Sequence, residues 1–183
     1  MPTNTKEASL EALIVNYLVD KNGYELGSSA DYNKDYALDE SRLLRFLQDT
    51  QPDAVDQINI LNNDHARYKF FDRLRGEIAK RGIVDVLRKG IQHYPADLIM
   101  FYMTPTDKNL QAKVLFEKNI FSVTRQLNYS NNSTQLALDF VIFINGLPII
   151  TCELKNSLTK QNIDDAVQQY RDDRDPKELL FHG

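Results

Sequence analysis

The chain has 183 residues, 42% of them hydrophobic and 26% charged, a composition typical of one globular domain with a buried core. Its formal net charge of −4 argues against a stand-alone nucleic-acid-binding protein of high affinity, because cation contacts to phosphate supply most non-specific affinity. No apolar run approaches the roughly 20 residues that span a bilayer, and the N-terminus lacks a signal-peptide core. The single cysteine, Cys152, excludes an internal disulfide, and these features together favour a cytoplasmic protein.

Hydrophobic residues at helical spacing predict a series of helices in the first half of the chain, at residues 6–21, 39–48, 54–61 and 64–89. The last of these is expected to break near Gly82. The first carries an apolar stripe that is expected to face the core, with Glu11 at its border. The stripe consists of Leu10, Leu13, Ile14, Tyr17 and Leu18. The chain is therefore expected to begin with a largely helical part.

Alternating β-branched and aromatic residues predict strands at residues 96–103 and 119–129, and a later helix is predicted at residues 162–171. The apolar run at residues 177–183 suggests a strand separated from its partners, and hence a piece of a longer protein. No repeat or linker divides the chain. Residues 1–183 are therefore expected to form a single domain of the α/β class, with a mixed central β-sheet flanked by helices.

Residues 136–155 contain the strongest hairpin signal, two β-rich runs on either side of an Asn-Gly dipeptide. Because strand side chains alternate between faces, Asp139, Glu153 and Lys155 belong to one set. The other set is apolar throughout and is expected to face the core. The three charged side chains are therefore predicted to share the polar face of one hairpin.

The length of the loop decides which residues face each other. A two-residue loop would place Asp139 opposite Cys152 and mix the charged and apolar faces. A three-residue loop ending at Gly146 would place Asp139 opposite Thr151 and diagonal to Glu153. Since a slip of one residue would turn the apolar set away from the core, we predict the three-residue loop.

Two neighbouring carboxylates repel each other unless a divalent cation lies between them, and Mg²⁺ prefers carboxylate, carbonyl and water oxygens. The predicted ligands are Asp139, Glu153 and the backbone carbonyl of Leu154. A bound ion lowers the pKa of a coordinated water and stabilises charge on a phosphate, and Lys155 is placed to orient that water or to offset that charge. The pattern indicates a metal-dependent nuclease. The alternative is a surface hairpin with an ordinary Glu-x-Lys ion pair.

Basic residues are frequent in the predicted helices at 64–89. A DNA-binding face and the solvated surface of ordinary helices are both compatible with them, and we favour the solvated surface. The residues are Arg67, Lys69, Arg73, Arg75, Lys80, Arg81, Arg88 and Lys89.

Several segments together resemble the N-terminal nuclease domain of the R (restriction, or motor) subunit of type I restriction enzymes. They are residues 119–127, 138–148, 153–156 and 165–176. The resemblance implies a restriction-endonuclease-like core, the PD-(D/E)xK fold, with an N-terminal helical part. Asp139, Glu153 and Lys155 then occupy the Asp, Glu and Lys places of the catalytic motif.

The same resemblance implies supporting residues. Many family members carry a Gln-x-x-x-Tyr motif on the helix after the catalytic lysine. Gln169 matches its Gln, but the chain has Asp173 where the motif has Tyr, and Tyr170 stands in for it. Glu11 matches an acidic residue that such folds place on the first helix beside the metal, although a solvated helix residue is the alternative.

The implied function is Mg²⁺-dependent hydrolysis of duplex DNA, within an assembly that includes modification (methyltransferase) and specificity subunits. The full subunit would continue into a helicase-like motor that uses ATP, and cutting would follow translocation. This chain contains no Gly-x-x-x-x-Gly-Lys-Ser/Thr loop, so ATP is expected to bind only the motor. The alternative is a catalytically idle module of the same fold that docks the motor to the methyltransferase core.

Two other enzyme classes are less compatible with the sequence. A histidine-liganded phosphodiesterase needs paired histidines, and His65, His93 and His182 form no pair at helical or strand spacing. A serine hydrolase of the α/β type needs a Gly-x-Ser-x-Gly turn, which does not occur in the chain.

Overall fold

The computed structural model describes residues 5–106, 109–131, 136–154 and 178–181. Its helices are α1 (Thr5–Asn22), α2 (Glu40–Thr50), α3 (Pro52–Ile58), α4 (Asp64–Arg81), α5 (Ile83–Lys89) and α6 (Leu110–Glu117). Its strands are β1 (Glu25–Gly27), β2 (Tyr32–Asn33), β3 (Leu38–Asp39), β4 (Ile91–His93), β5 (Ala96–Leu98), β6 (Phe121–Asn128), β7 (Ala137–Ile144) and β8 (Leu147–Cys152). Within these residues, none of the helices has the length and apolar character that crossing a membrane requires.

The central sheet has four strands in the order β1-β6-β7-β8. Strand β1 runs parallel to β6, whereas β6, β7 and β8 pair antiparallel in sequence. Two small antiparallel ribbons, β2-β3 and β4-β5, lie outside this sheet. The fold is therefore mixed α/β with a mixed central sheet, as the sequence predicts.

Capping residues determine where the helices of the first half begin and end. Asp39 accepts a hydrogen bond from the N–H of Arg42 at the start of α2, and Asn63 does the same for Ala66 at the start of α4. Gly82, with a φ of 80°, separates α4 from α5. The predicted helices at 39–48 and 64–89, with their break at Gly82, are confirmed.

Helix α1 forms where predicted, but it packs through a different face. Val15 and Glu11 are buried, whereas Leu10, Leu13 and Tyr17 of the predicted stripe are exposed. The prediction of a buried apolar stripe is wrong for these three residues. The reason is that α1 lies on the sheet through a narrow contact centred on Val15.

Other strand predictions hold only in part. The strand at 119–129 is confirmed as β6, but the one at 96–103 is reduced to the short β5. At the apolar end of the chain, the described residues 178–181 do not form a strand: Leu179–Phe181 is a 3-10 turn whose Phe181 ring lies 5.3 Å from that of Tyr129. The helix predicted at 162–171 lies outside the described residues.

Apolar side chains cover both faces of β7. On one side, Val15 packs with Val123 and Phe140. On the other side, Val141 and Phe143 belong to a second buried cluster. Val141 and Phe143 alternate along β7 with the apolar set and so belong to the face of Asp139, which the sequence predicts to be polar. That prediction is wrong at these two residues, because the sheet is buried from both sides.

The loop between β7 and β8 has two residues, not the three predicted. Ile144 pairs with Leu147, and Asn145 and Gly146 both have positive φ, of 51° and 81°, as in a type I′ turn. The prediction failed because a β-bulge at Ile149 adds one residue to β8 and corrects the register beyond it.

The turn between β7 and β8 is buried rather than exposed. The side chain of Asn145 is 0% exposed. It accepts a hydrogen bond from the N–H of Ile120 at 2.7 Å and donates to the carbonyl of Met100 at 2.9 Å. The carbonyl of Gly146 accepts from the N–H of Asp39, at the start of α2, at 2.8 Å. The turn therefore joins the hairpin to the helical part of the chain.

Substituting Gly146 with Ala should lower the free energy of unfolding by about 2 to 5 kcal/mol, because it adds strain at a positive φ to a steric overlap. A Cβ at this position would lie 2.4 Å from the carbonyl oxygen of Asp39. Urea denaturation followed by circular dichroism measures the change.

Gly23→Ala is the matched control for this substitution. Gly23 has a φ of 73°, and no atom lies within 4 Å of the place that a Cβ would occupy, so only the strain of about 1 to 2 kcal/mol should remain. Equal destabilisation by the two substitutions would contradict the close packing of the turn.

Candidate active site

Asp139 lies on β7 and contacts the residues that follow β8. Its Oδ2 atom accepts a hydrogen bond from the backbone N–H of Leu154 at 2.5 Å. The last pair in the register of these strands joins Phe140 to Cys152, so one further step places Asp139 opposite Glu153. The structure thus brings Asp139 into contact with the Glu153-Leu154 segment, and the register continued by one residue beyond its last pair puts Glu153 across from Asp139 rather than diagonal to it.

Gln126 of β6 is the neighbour of Asp139 on the other side. Its backbone is left-handed, with a φ of 46°, at the position where the pairing of β6 with β7 is interrupted. Its side-chain amide donates to Oε2 of Glu11 at 2.8 Å, and its contact to Oδ1 of Asp139 is longer, at 3.5 Å. Gln126 therefore connects the carboxylate of α1 with that of β7.

Glu11 is buried, with 2% of its surface exposed, although it lies on the first helix. Its Oε1 atom accepts a hydrogen bond from Nε of Arg125 at 2.6 Å. Both carboxylate oxygens are thus engaged by β6, one by Arg125 and the other by Gln126. The alternative that Glu11 is a solvated helix residue is wrong, because this network draws the carboxylate beneath α1.

Three of the predicted site residues, Asp139, Glu153 and Leu154, lie together at the ends of β7 and β8, and Glu11 joins them through Gln126. Three others lie outside the described residues: Lys155, Gln169 and Tyr170. The roles of all seven stay predictions.

Sequence reasoning missed Arg125 and Gln126 as site residues. Two long polar side chains in succession near the middle of a β-strand next to the strand of Asp139 were the available signal. They did not stand out because, in the sequence, two such residues cannot be distinguished from ordinary solvent-exposed polar residues of a strand.

The oxygen donors of this site suit a cation that prefers oxygen ligands better than a metal that prefers nitrogen or sulfur ligands. Asp139 and Glu153 are partly exposed carboxylates, and a carboxylate retains lone pairs after accepting one hydrogen bond. Mg²⁺ is commonly held by one or two carboxylates and keeps several water ligands. Among the residues that the structure describes, no group of three or more His, Cys, Asp and Glu side chains could hold a metal ion. The donor set therefore fits Mg²⁺ only as a site of two carboxylates completed by water and substrate oxygens.

Cys152 lies beside the site, one residue before Glu153. Burial raises the pKa of its thiol above the ordinary value, and the negative charge of Asp139 raises it further. The thiol pKa therefore reports the charge at Asp139.

Most of the basic residues of α4 and α5 are paired with acids. Arg73 and Arg81 contact Glu77, and Arg81 and Lys89 contact Asp85. These contacts support the interpretation of a solvated helix surface.

Comparisons with known proteins identify relatives of the chain. The family described as "Type I restriction enzyme R protein N terminus" matches residues 4–182. A protein of Methanocaldococcus jannaschii, named as the type I restriction enzyme MjaVIIIP endonuclease subunit, is 26% identical over 136 residues. That match covers 65% of this chain, which spans only 12% of the length of the relative. No solved structure matches the chain.

Substituting Asp139 with Asn should lower the pKa of the Cys152 thiol, because the added negative charge is removed while burial remains. Only the thiolate reacts with iodoacetamide, so below the thiol pKa the alkylation rate at fixed pH should rise. The rate is measured across pH by mass spectrometry, and the single cysteine makes the assignment unambiguous.

Asp97→Asn, a substitution of an exposed carboxylate on β5, is the control and should leave the rate unchanged. An unchanged pH profile in the Asp139 variant would show that this carboxylate does not act on the thiol.

Proposed function

Because the chain belongs to the family of type I restriction enzyme R protein N termini, we propose that it is a Mg²⁺-dependent endonuclease domain that hydrolyses phosphodiesters of duplex DNA. The observation that carries this proposal is the contact of Asp139 with the Glu153-Leu154 segment. It links Asp139 of β7 to the segment directly after β8 that carries Glu153, which supports the pairing of these two carboxylates that the PD-(D/E)xK motif requires. A core of that fold is part of the proposal.

In the proposed site, Asp139 and Glu153 hold the cation, with the backbone carbonyl of Leu154 as a further oxygen ligand. Bound Mg²⁺ supplies a more acidic water and stabilises charge on the phosphate. The hydrogen bond from the N–H of Leu154 fixes one oxygen of Asp139 and so orients the carboxylate toward its neighbour. We assign Glu11 a supporting place beside the proposed site rather than a ligand's, since its two oxygens accept hydrogen bonds from Arg125 and Gln126.

The residues that follow Glu153 supply the remaining groups of the proposed mechanism. Lys155 orients the attacking water or offsets negative charge in the transition state. Gln169 or Tyr170 steadies Lys155 or the DNA backbone. These roles are carried over from the family motif onto matching positions of this sequence.

The wider context is also a proposal, since the chain spans only a small part of the relative that it matches. We infer that it acts beside an ATP-driven helicase-like motor in the same polypeptide and with modification and specificity subunits. Cleavage would then follow translocation along DNA. ATP is required by the motor, and this chain is expected to bind only the metal ion and DNA.

A second function is favoured by one observation. Leu10, Leu13 and Tyr17 expose apolar surface on one side of α1. An exposed apolar stripe of this kind is typical of a surface that contacts another protein. A catalytically idle docking module that links the motor to the methyltransferase core would use such a surface and would bind no metal.

Calorimetric titration separates the two functions. Mn²⁺, a cation with the same preference for oxygen ligands, should bind the wild-type chain saturably. Asp139→Ala and Glu153→Ala should each weaken that binding by more than about 100-fold, because each removes a ligand rather than a supporting contact. Asp97→Ala is the matched control and should bind as the wild type does.

Glu153→Gln tests catalysis without disturbing the shape of the site. Introduced into the full subunit, assembled with its modification and specificity subunits and supplied with ATP, it should keep the wild-type melting temperature and lose Mg²⁺-dependent cleavage of supercoiled plasmid. Normal cutting by this variant would refute the mechanism. If the wild type fails to bind Mn²⁺ even with non-cleavable duplex DNA present, the docking function is favoured instead.

A further inference from the structure

We propose that Arg125 binds a backbone phosphate of the DNA beside Asp139, and that the buried carboxylate of Glu11 is the group that orients it. This inference rests on the proposed function and adds to it a substrate-contacting residue outside the Asp-Glu-Lys motif. It also gives Glu11 a role different from that of a metal ligand.

The strand register places Arg125 next to the candidate site. Arg125 pairs with Phe140, and Phe140 pairs with Cys152, so these three residues form one row across the sheet. Asp139 lies one residue from this row along β7. With strands about 4.8 Å apart and residues about 3.3 Å apart, the Cα atoms of Arg125 and Asp139 are separated by roughly 6 Å. Successive strand side chains alternate between faces, but Gln126 connects the two residues. Its amide donates to the Glu11 carboxylate that Arg125 contacts, and it also contacts Asp139.

The contact with Glu11 leaves most of the guanidinium group available. Glu11 is reached by Nε of Arg125, which carries one of the five N–H donors of the group. No other hydrogen bond to this guanidinium is formed within the described part of the chain. The side chain of Arg125 is 41% exposed, whereas that of Glu11 is 3% exposed. The terminal nitrogens can therefore bind a phosphate in the two-pronged geometry that suits arginine.

In the ion pair of Arg125 with Glu11, the carboxylate is buried and the guanidinium group is partly exposed. This difference indicates that Glu11 orients Arg125 rather than that the pair stabilises the surface. A buried carboxylate is costly unless it is paired, and a half-exposed arginine contributes little stability on its own. Glu11 therefore depends on Arg125 and Gln126, and in return holds the guanidinium group in one place above the sheet.

Gln126 provides an independent observation. A glutamine at a φ of 46° occupies a region that non-glycine residues seldom adopt, and such backbone strain is concentrated at functional sites. The strained residue follows Arg125 directly and donates its amide to Glu11, with a longer contact to Asp139. The unusual backbone conformation is therefore found at Gln126, the residue that connects the carboxylate of Glu11 with Asp139.

Charge explains why such a residue is needed. Glu11, Asp139 and Glu153 place three carboxylates in this part of the molecule, in a chain of net charge −4. A DNA phosphate that approaches them is repelled, and one cation does not balance three acids and a phosphate. Arg125 is the basic side chain that the described structure places in contact with this group of acids.

Duplex DNA binding tests the inference. Affinity of the chain for a short fluorescent duplex is measured by anisotropy across a salt series, with Ca²⁺ in place of Mg²⁺ to limit cleavage. Arg125→Gln should weaken binding of all sequences alike, by about tenfold, and reduce the slope of log affinity against log salt by about 1, the value for one lost phosphate contact. Arg125→Lys should keep the slope, because the charge remains, and recover part of the affinity.

Glu11→Gln distinguishes orientation from metal binding. If Glu11 orients Arg125, this variant should weaken DNA binding in the same direction and leave Mn²⁺ binding in the absence of DNA unchanged. Loss of Mn²⁺ binding would make Glu11 a ligand and overturn its proposed role. Arg75→Gln is the matched control, since Arg75 is similarly exposed and also paired with one carboxylate, Asp72.

The results also separate this inference from the proposed function. A wild-type slope for Arg125→Gln, in a chain whose Mn²⁺ binding requires Asp139, would overturn the role of Arg125 and leave the nuclease standing. A reduced slope for Arg75→Gln with none for Arg125→Gln would move the DNA contact to α4 and likewise overturn it. A wild-type chain that binds neither Mn²⁺ nor duplex DNA would remove both. Thermal melts of each variant confirm that the fold is retained.

Discussion

The buried turn at Asn145 and Gly146 is the constraint on which the rest of the structure depends. Its side-chain and backbone hydrogen bonds tie the hairpin to Ile120 at the start of β6 and to Asp39 at the start of α2. The fixed turn sets the register of β7 and β8 next to it, and the bulge at Ile149 shifts that register by one residue in the rest of the hairpin. The two acids of the candidate site therefore owe their positions to a turn at the other end of the hairpin.

Much of the helical part follows from the sequence, because its signals are local. Asp39 and Asn63 are helix-capping residues within three positions of the groups they cap, and Gly82 separates two helices by its own backbone. Short strands such as β1 and β4 have too few residues for an alternation of apolar and polar side chains to be recognised in the sequence. Strand β1 also depends on a partner distant in the sequence, because its Glu25 pairs with Ser122 of β6, whereas β4 pairs with its neighbour β5.

In the candidate site, too, features that depend on local sequence can be predicted and features that depend on distant residues cannot. The sequence places Asp139 and Glu153 on one hairpin, since alternation and the Asn-Gly signal are local features. It does not reveal the bulge at Ile149, which has no characteristic residue type. It also gives no sign of the contact between Glu11 and Arg125, which lie 114 positions apart and meet only when α1 is laid on the sheet.

The buried turn also sets a chemical lifetime for the protein. In flexible chains, an Asn followed by Gly loses its side-chain amide readily, because the next backbone nitrogen attacks it. In the fold, the amide of Asn145 donates to the carbonyl of Met100 and to Oδ1 of Asn119, and these contacts restrict its movement. Deamidation is therefore confined to molecules that have opened. Each such event puts a carboxylate in a buried position where the amide donated to two acceptors, so refolding of the damaged chain is disfavoured and ageing is expected to proceed through the unfolded fraction.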